Sequence, residues 1–220
     1  MQQIKDYLQI QGLDADADST AAARAAAQAV ILHGQVSADP AALWQNGRLD
    51  AYLARTPENE TLLKQLLMAL DSVCSRTQPQ SAALYGITSD GSRLTALSSQ
   101  GLPLESELPL ESTAAETHLA ARTAQSAWLN LADDTAAWLA EGHLSGEHNR
   151  RSGSQISLPV SAEDGRTYGV LHIEKTRPGG FTAEEQAEWI GLALAVLPLL
   201  QQLFPKPESQ NTAPDEETYN

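Results

Sequence analysis

The chain has 220 residues, enough for one full domain with a helical extension, and its apolar fraction of 42% is ordinary for a globular protein. Twenty-eight acidic residues against fourteen basic ones leave a formal net charge of −14, an acidic balance that repels phosphate backbones and anionic lipid and so argues against direct nucleic-acid or membrane binding. No apolar run approaches the roughly 18 to 20 residues that cross a bilayer. The opening residues Met1 to Asp6 lack the basic-then-apolar pattern of a leader, and the single cysteine, Cys74, fits a reducing compartment, so the cytoplasm is the expected location.

The first part of the chain reads as helices. Ile4 to Ile10 is a short amphipathic piece. The alanine-rich stretch Ala21 to His33 predicts a helix with Ser19 and Thr20 as caps and Gly34 closing it. Asp39-Pro40 predicts a capped start with proline at the first helical position; that helix breaks at Asn46-Gly47 and resumes over Leu49 to Arg55. Thr56-Pro57-Glu58 repeats the start signal, with acids where the helix dipole favours them. From Pro57 to Arg76, the residues Leu62, Leu63, Leu66, Leu67, Leu70, Val73 and Cys74 step by three and four and share one face. Cys74 on that stripe is expected to be a buried structural thiol.

Beyond Gln78-Pro79-Gln80 the period becomes that of strands. Ala82 to Ser89 and Arg93 to Ser99 flank Asp90-Gly91-Ser92, a hairpin signal. Leu102 to Leu110 is proline-broken and extended. Thr113 with Glu116 predicts a capping box for a helix ending near Arg122. Ala127 to Leu131 predicts a short strand, Asp134 to Glu141 a helix carrying Trp138, and Gly142 to Gly153 a polar loop. A strand with Ile156, Leu158 and Val160 then turns at Glu163-Asp164-Gly165 into Tyr168 to Ile173. Thr182 and Glu185 make a capping box for the last helix, whose residues from Trp189 to Leu203 are apolar on nearly all sides. Such a helix must be covered by its own sheet, by the Pro57 to Arg76 helix or by a second subunit, and Pro198 is expected to kink it near Leu194. Past Phe204 no apolar pattern remains, which predicts a disordered tail over residues 205–220.

Leu158-Pro159-Val160, the hairpin, Gly169-Val170-Leu171-His172-Ile173, the Gly179-Gly180-Phe181-Thr182 loop and the closing helix resemble the C-terminal half of the GAF family of small-molecule sensor domains. With Ala82 to Gly101, the resemblance spans about Glu58 to Leu203. It implies an α+β fold, a GAF-like antiparallel sheet of five or six strands with helices on both faces, plus N-terminal helices. Residues 1–56 would be the helical extension and 57–204 the GAF-like domain. In that family the pocket lies between the sheet and the crossover that follows the first hairpin. Its ligands include cyclic nucleotides, haem, bilins and amino acids; some members bind nothing and serve as dimerisation modules. Cyclic-nucleotide-binding members carry Asn-Lys followed by Phe and Asp-Glu. Here Glu174-Lys175, Phe181 and Glu184-Glu185 keep the lysine, the phenylalanine and an acidic pair, so a lysine–acid lock is expected in this loop. No cysteine follows Cys74, so a covalently attached bilin has no anchor, and the multi-cysteine chemistry of the family's free methionine sulfoxide reductases is disfavoured.

On this resemblance, Trp128 and Trp138 sit in the crossover and could stack on a ligand or simply pack as a lid. Tyr85 lies on the first strand, with Ser157 and His172 on the last two as further candidate contacts. His148, Arg150 and Arg151 come from the loop before Ser154. The adjacent arginines suit a carboxylate or phosphate, and no metal site is expected, because the spacing of His143 and His148 is not that of one helix face. No nucleophile elbow, phosphate loop or zincin helix is present, so no catalytic residue is assigned. The expected function is a sensory or regulatory module that binds a small molecule, with the cofactor unspecified. It would form a homodimer through its first and last helices and signal to a separate output protein. The rival is a protein-interaction module with a filled pocket.

Overall fold

Six strands form one antiparallel sheet in the order β3-β2-β1-β6-β5-β4, in a computed structural model that describes residues 1–13 and 15–205. The strands are β1 (Ser81–Ile87), β2 (Arg93–Gly101), β3 (Glu107–Pro109), β4 (Asn130–Ala132), β5 (Ser154–Ser161) and β6 (Thr167–Lys175). Two hairpins, β1–β2 and β5–β6, lie side by side at the centre, joined through β1 and β6. The three-residue strands β3 and β4 close the two edges. Apart from Pro205, the expected tail lies outside the described residues.

Alternation along the central strands divides the sheet into two faces. Ala82, Leu84, Ile156, Leu158, Leu171 and Ile173 point to the helical layer and join the main core. Ala83, Tyr85 and Val170 point the other way and pack with Leu94, Ala96, Leu108 and Ala120 in a smaller core beneath the crossover.

The helical layer is α1 (Gln2–Ile10), α2 (Ala17–His33), α3 (Pro40–Leu43), α4 (Pro57–Thr77) and, from the end of the chain, α8 (Ala183–Leu203). The α4 stripe buries Leu62, Leu63, Leu66, Leu70, Val73 and Cys74 as its periodicity predicts. The capping box of α8 forms between Thr182 and Glu185, and the helix runs through Pro198 to Leu203. The α8 girth is covered by the sheet, by α4 and by α2, which lies along it within the same chain. That close approach depends on small residues: α2 buries Thr20, Ala23, Ala27 and Ile31. A Cβ at Gly191 of α8 would sit 2.7 Å from Ala23 Cβ and 2.6 Å from the Arg24 nitrogen. Ile4, Leu8, Ala27 and Ile31 thus belong to one core with the sheet.

Three local expectations are corrected. The second helix begins at Ala17, not Ala21, because Asp16 rather than Ser19 or Thr20 caps it, accepting from the Asp18 and Ser19 amides. Asn46 and Gly47, both at positive φ as the break predicts, lie inside a 3-10 stretch (Gln45–Ala51) that takes the place of a resumed α-helix. The helix after Thr113 is two pieces, α5 (Ala114–Thr117) and α6 (Leu119–Ser126). Thr113 is itself helical and makes no side-chain cap, and His118 between the pieces is extended, at φ −126° and ψ 115°. The crossover ends in β4 and α7 (Thr135–Ala140), capped by Asp134, followed by a 3-10 turn over Glu147–Arg151.

Candidate functional site

The interruption at His118 has a consequence for chemistry. It turns the imidazole toward the sheet, where a cavity of about 80 Å³ lies between β1, β5 and β6 on one side and the crossover on the other. Leu104, Leu108, Leu119 and Ala120 give it an apolar wall. The polar wall comes from the strand face that alternation turns away from the main core: Tyr85, Gln155, His172 and Glu174, with Glu105, His118, His148, Asn149 and Arg151 supplied by loops.

Glu174 is the electrostatic centre. Its side chain is 2% exposed, and Arg151 approaches Oε2 to 2.9 Å, off the axis of a hydrogen bond, so the charge is matched while the oxygen has no directed donor among the described residues. His172 Nε2 lies 3.7 Å from the other oxygen. Burial raises the Glu174 pKa, but His172 and Arg151 together outweigh it and hold the carboxyl below its ordinary value. His172 Nδ1 and the Ser157 hydroxyl are hydrogen-bonded at 2.7 Å, which holds the ring with Nε2 turned toward the Glu174 carboxylate. This serine–histidine–glutamate row is no nucleophile: Ser157 is fully buried and does not line the cavity. Arg151 also donates to the Pro103 carbonyl (2.6 Å), and the Tyr85 hydroxyl donates to the Glu105 carbonyl (2.7 Å), fastening the β2–β3 loop over the site. Burial pushes the Tyr85 pKa up, with Glu105 and Glu174 adding to it.

A second network runs in from the crossover. Asn149 Nδ2 donates to the carbonyls of Thr117 (2.8 Å) and Ser145 (2.6 Å), so its Oδ1 is left to accept. Gln155 Nε2 donates to that oxygen (3.0 Å) and to Ser152 Oγ (2.8 Å). The amide of Gln155 is thereby oriented, and among the described residues its Oε1 has no donor.

Glu105, His118 and His148 gather their ligating atoms within 4.8 Å of one another and are the residues to consider for a metal. His148 Nε2 donates to the Thr117 carbonyl at 3.0 Å, which leaves Nδ1 as its ligating atom. The two imidazoles, however, are stacked at 4.5 Å with planes only 20° apart. Lone pairs in nearly parallel planes do not converge on one ion, so the rings as held form a stacking surface. Burial lowers the His118 pKa, against the opposing pull of Glu105 and with smaller contributions from His148 and His172.

No protein-family model and no curated protein matches the chain. Solved structures do. The GAF domain of the Acinetobacter phosphoenolpyruvate-protein phosphotransferase superposes with a TM-score of 0.57 at 16% identity, over 82% of this chain and 92% of that one. The corresponding domain from Coxiella burnetii gives 0.54 at 15% identity, over 83% and 95%. The type II free methionine-R-sulfoxide reductase of Thermoplasma acidophilum gives 0.56 at 18% identity, over 68% and 99%. The chain has the GAF fold. Identities this low carry the architecture and nothing finer.

Within the GAF fold, four of the residues singled out from sequence meet at the cavity: Tyr85, His148, Arg151 and His172. Ser157 stands behind His172. The other three are elsewhere. Trp128, 54% exposed, faces a surface groove beside α1. Trp138 packs against Arg122 and His143 on the outside of the crossover. Arg150 points outward and pairs with Glu147. Both tryptophans therefore leave the cavity unplugged. The lysine–acid lock forms, with Lys175 2.7 Å from Glu185, but it ties β6 to the start of α8 and does not line the cavity. Sequence reasoning missed Gln155, Glu174, His118 and Glu105. Alternation could have found the first two, since Gln155-Ile156-Ser157-Leu158 and His172-Ile173-Glu174 place every polar residue on one face.

Proposed function

We propose that the chain is a sensory or regulatory module that binds a small molecule in the cavity between sheet and crossover. The observation that carries this reading is a walled concavity in which the buried Glu174 and Gln155 keep polar atoms short of partners while both tryptophans stay outside. Pockets of this composition, an apolar wall with a few convergent polar groups, suit small ligands. A ligand there would touch the β2–β3 loop, the His118 junction and the Glu147–Arg151 turn at once. The opposite face of β1, β5 and β6 packs on the helical layer, and by this reading the signal leaves through that layer to a separate output protein or a second copy, in the cytoplasm. No helix among the described residues is long and apolar enough to cross a membrane.

Native mass spectrometry of the protein purified from its own cells tests the proposal. A retained small molecule, lost in an Ala120→Leu variant that fills the cavity, is the expected result. A ligand-free protein whose stability responds to no metabolite pool would refute it. One observation favours a protein-interaction module instead: a groove of about 470 Å³ lined by Tyr7, Ile10, Trp128 and Leu197. On that reading, Trp128→Ala abolishes partner capture while Ala120→Leu leaves it intact.

A further inference from the structure

We infer that the cavity recognises a primary ammonium group, through Gln155 Oε1 and the Glu174 carboxylate; this rests on the ligand-binding reading above and names the chemistry of the ligand's head. The two side chains are cross-strand partners in the β5–β6 register. Both are nine-tenths buried or more, at 0% and 2% exposed, and both line the cavity. The polarity of Gln155 is dictated from a distance. The Thr117 and Ser145 carbonyls take the Asn149 amide protons, Asn149 Oδ1 takes one from Gln155, and among the described residues Gln155 Oε1 is left as an acceptor without a donor, on a side chain that lines the cavity. Glu174 Oε2 has the charge of Arg151 beside it but no aligned N–H among the described residues. An unsatisfied buried acceptor costs free energy that a donor on a ligand recovers.

Charge decides the kind of donor. The lining holds two carboxylates, Glu105 and Glu174, one guanidinium, that of Arg151, and three imidazoles, His118, His148 and His172; counting histidine as neutral, the carboxylates outnumber the fixed positive charge, in a chain whose formal net charge is −14 on the same count. A neutral amide or hydroxyl would satisfy the hydrogen bonds but not the surplus charge; a carboxylate would satisfy neither acceptor. An ammonium offers three donors and a positive charge at one atom. A volume of about 80 Å³ holds nearly three waters' share of liquid, which suits a head group with a short apolar stem along Leu104, Leu108 and Leu119.

Three isosteric probes test the assignment: n-propylammonium chloride, sodium propionate and 1-propanol, titrated into the full chain at matched ionic strength and followed by amide NMR. The expected result is saturable shifts on β5 and β6 with propylammonium, at an affinity at least tenfold tighter than either other probe. Glu174→Gln and Gln155→Leu should each weaken it about tenfold, and the shape-preserving Glu174→Gln keeps the test valid should Gln155→Leu fail to fold. Propionate binding as tightly as propylammonium overturns the ammonium assignment while leaving the cavity a ligand site. Saturable propylammonium binding that survives both substitutions also overturns it, as does the absence of saturable shifts from all three probes. The proposed function is judged separately, by the retained molecule in native mass spectrometry.

Discussion

Replacing Arg151 by methionine keeps most of the stem and removes the charge from beside Glu174. In the native protein the two approach to 2.9 Å, with Arg151 34% exposed and Glu174 2%. At an effective dielectric of about 20, the gross attraction across that distance is about 6 kcal/mol, much of it offset by desolvation. Breaking a fully buried pair costs about 3 to 5 kcal/mol, because the remaining charge stays buried and unpaired. The partial exposure of Arg151 puts this case toward the lower end, and the lost bond to the Pro103 carbonyl adds about 1 kcal/mol. We expect a loss of about 3 kcal/mol in urea unfolding at pH 7. The loss must depend on pH. The depressed Glu174 pKa contributes stability above its unfolded value, and that contribution fades as pH falls through the folded value. Without Arg151 one of the groups that lowers this value is gone while burial still raises it, so the variant's carboxyl takes up its proton at higher pH than the native one and the deficit should shrink as pH falls through the variant's folded value. Adding Glu174→Gln to the variant should restore much of the stability at pH 7. A deficit that is constant with pH, or a double variant no better than the single one, would refute the pairing argument.

Other outcomes follow from the same structure. Gly191→Ala should lower the urea midpoint despite a gain in helix propensity of about 1 kcal/mol, because the new methyl meets the α2 backbone at 2.6 Å; a raised midpoint would mean α2 does not lie there. Burial lowers the His118 pKa from 6.5, so the unfolded chain takes up that proton first and stability drops as pH falls below about 6.5; His118→Gln should remove that part of the slope between pH 7 and 5 in paired denaturation curves. Burial, with Asp71 adding, pushes the Cys74 thiol up to about 12, so thiol reagents should label the native protein slowly and at a rate that tracks global unfolding. Lys175→Met should cost about 1 kcal/mol, since its partner Glu185 is only partly exposed and remains held in the α8 capping box, and thermal melts should show the change.

The sequence made the regular parts legible wherever periodicity and capping agreed. Leu62 through Cys74 announced the face of α4, Asp90-Gly91 the first hairpin, and Thr182 with Glu185 the start of the last helix. It hid the start of α2, because Asp16 outcompeted two nearby hydroxyls that looked equally able to cap. It hid the break at His118, since the stretch from Thr113 to about Arg122 reads as one helix, whereas His118 is extended between two pieces. At the cavity, Arg151 was legible as half of a rare basic pair, but which arginine turns inward is settled by the 3-10 turn. Glu174 was read as part of a loop motif with Lys175, although period-two alternation gives them opposite faces. The tryptophans misled because a large aromatic in the crossover does not say which way it faces: Trp128 is 54% exposed in a surface groove and Trp138 is half-buried against Arg122 and His143.

The placement of α2 on α8 has one more implication. In this protomer the greasiest cylinder of the molecule is sheathed by the chain's own opening arm, fitted to it through Gly191 and Ala23. Any association that used that cylinder would first have to peel the arm away, exchanging an intramolecular contact for an intermolecular one. Assembly by that route would therefore be gated by the arm's detachment and would respond to whatever loosens it.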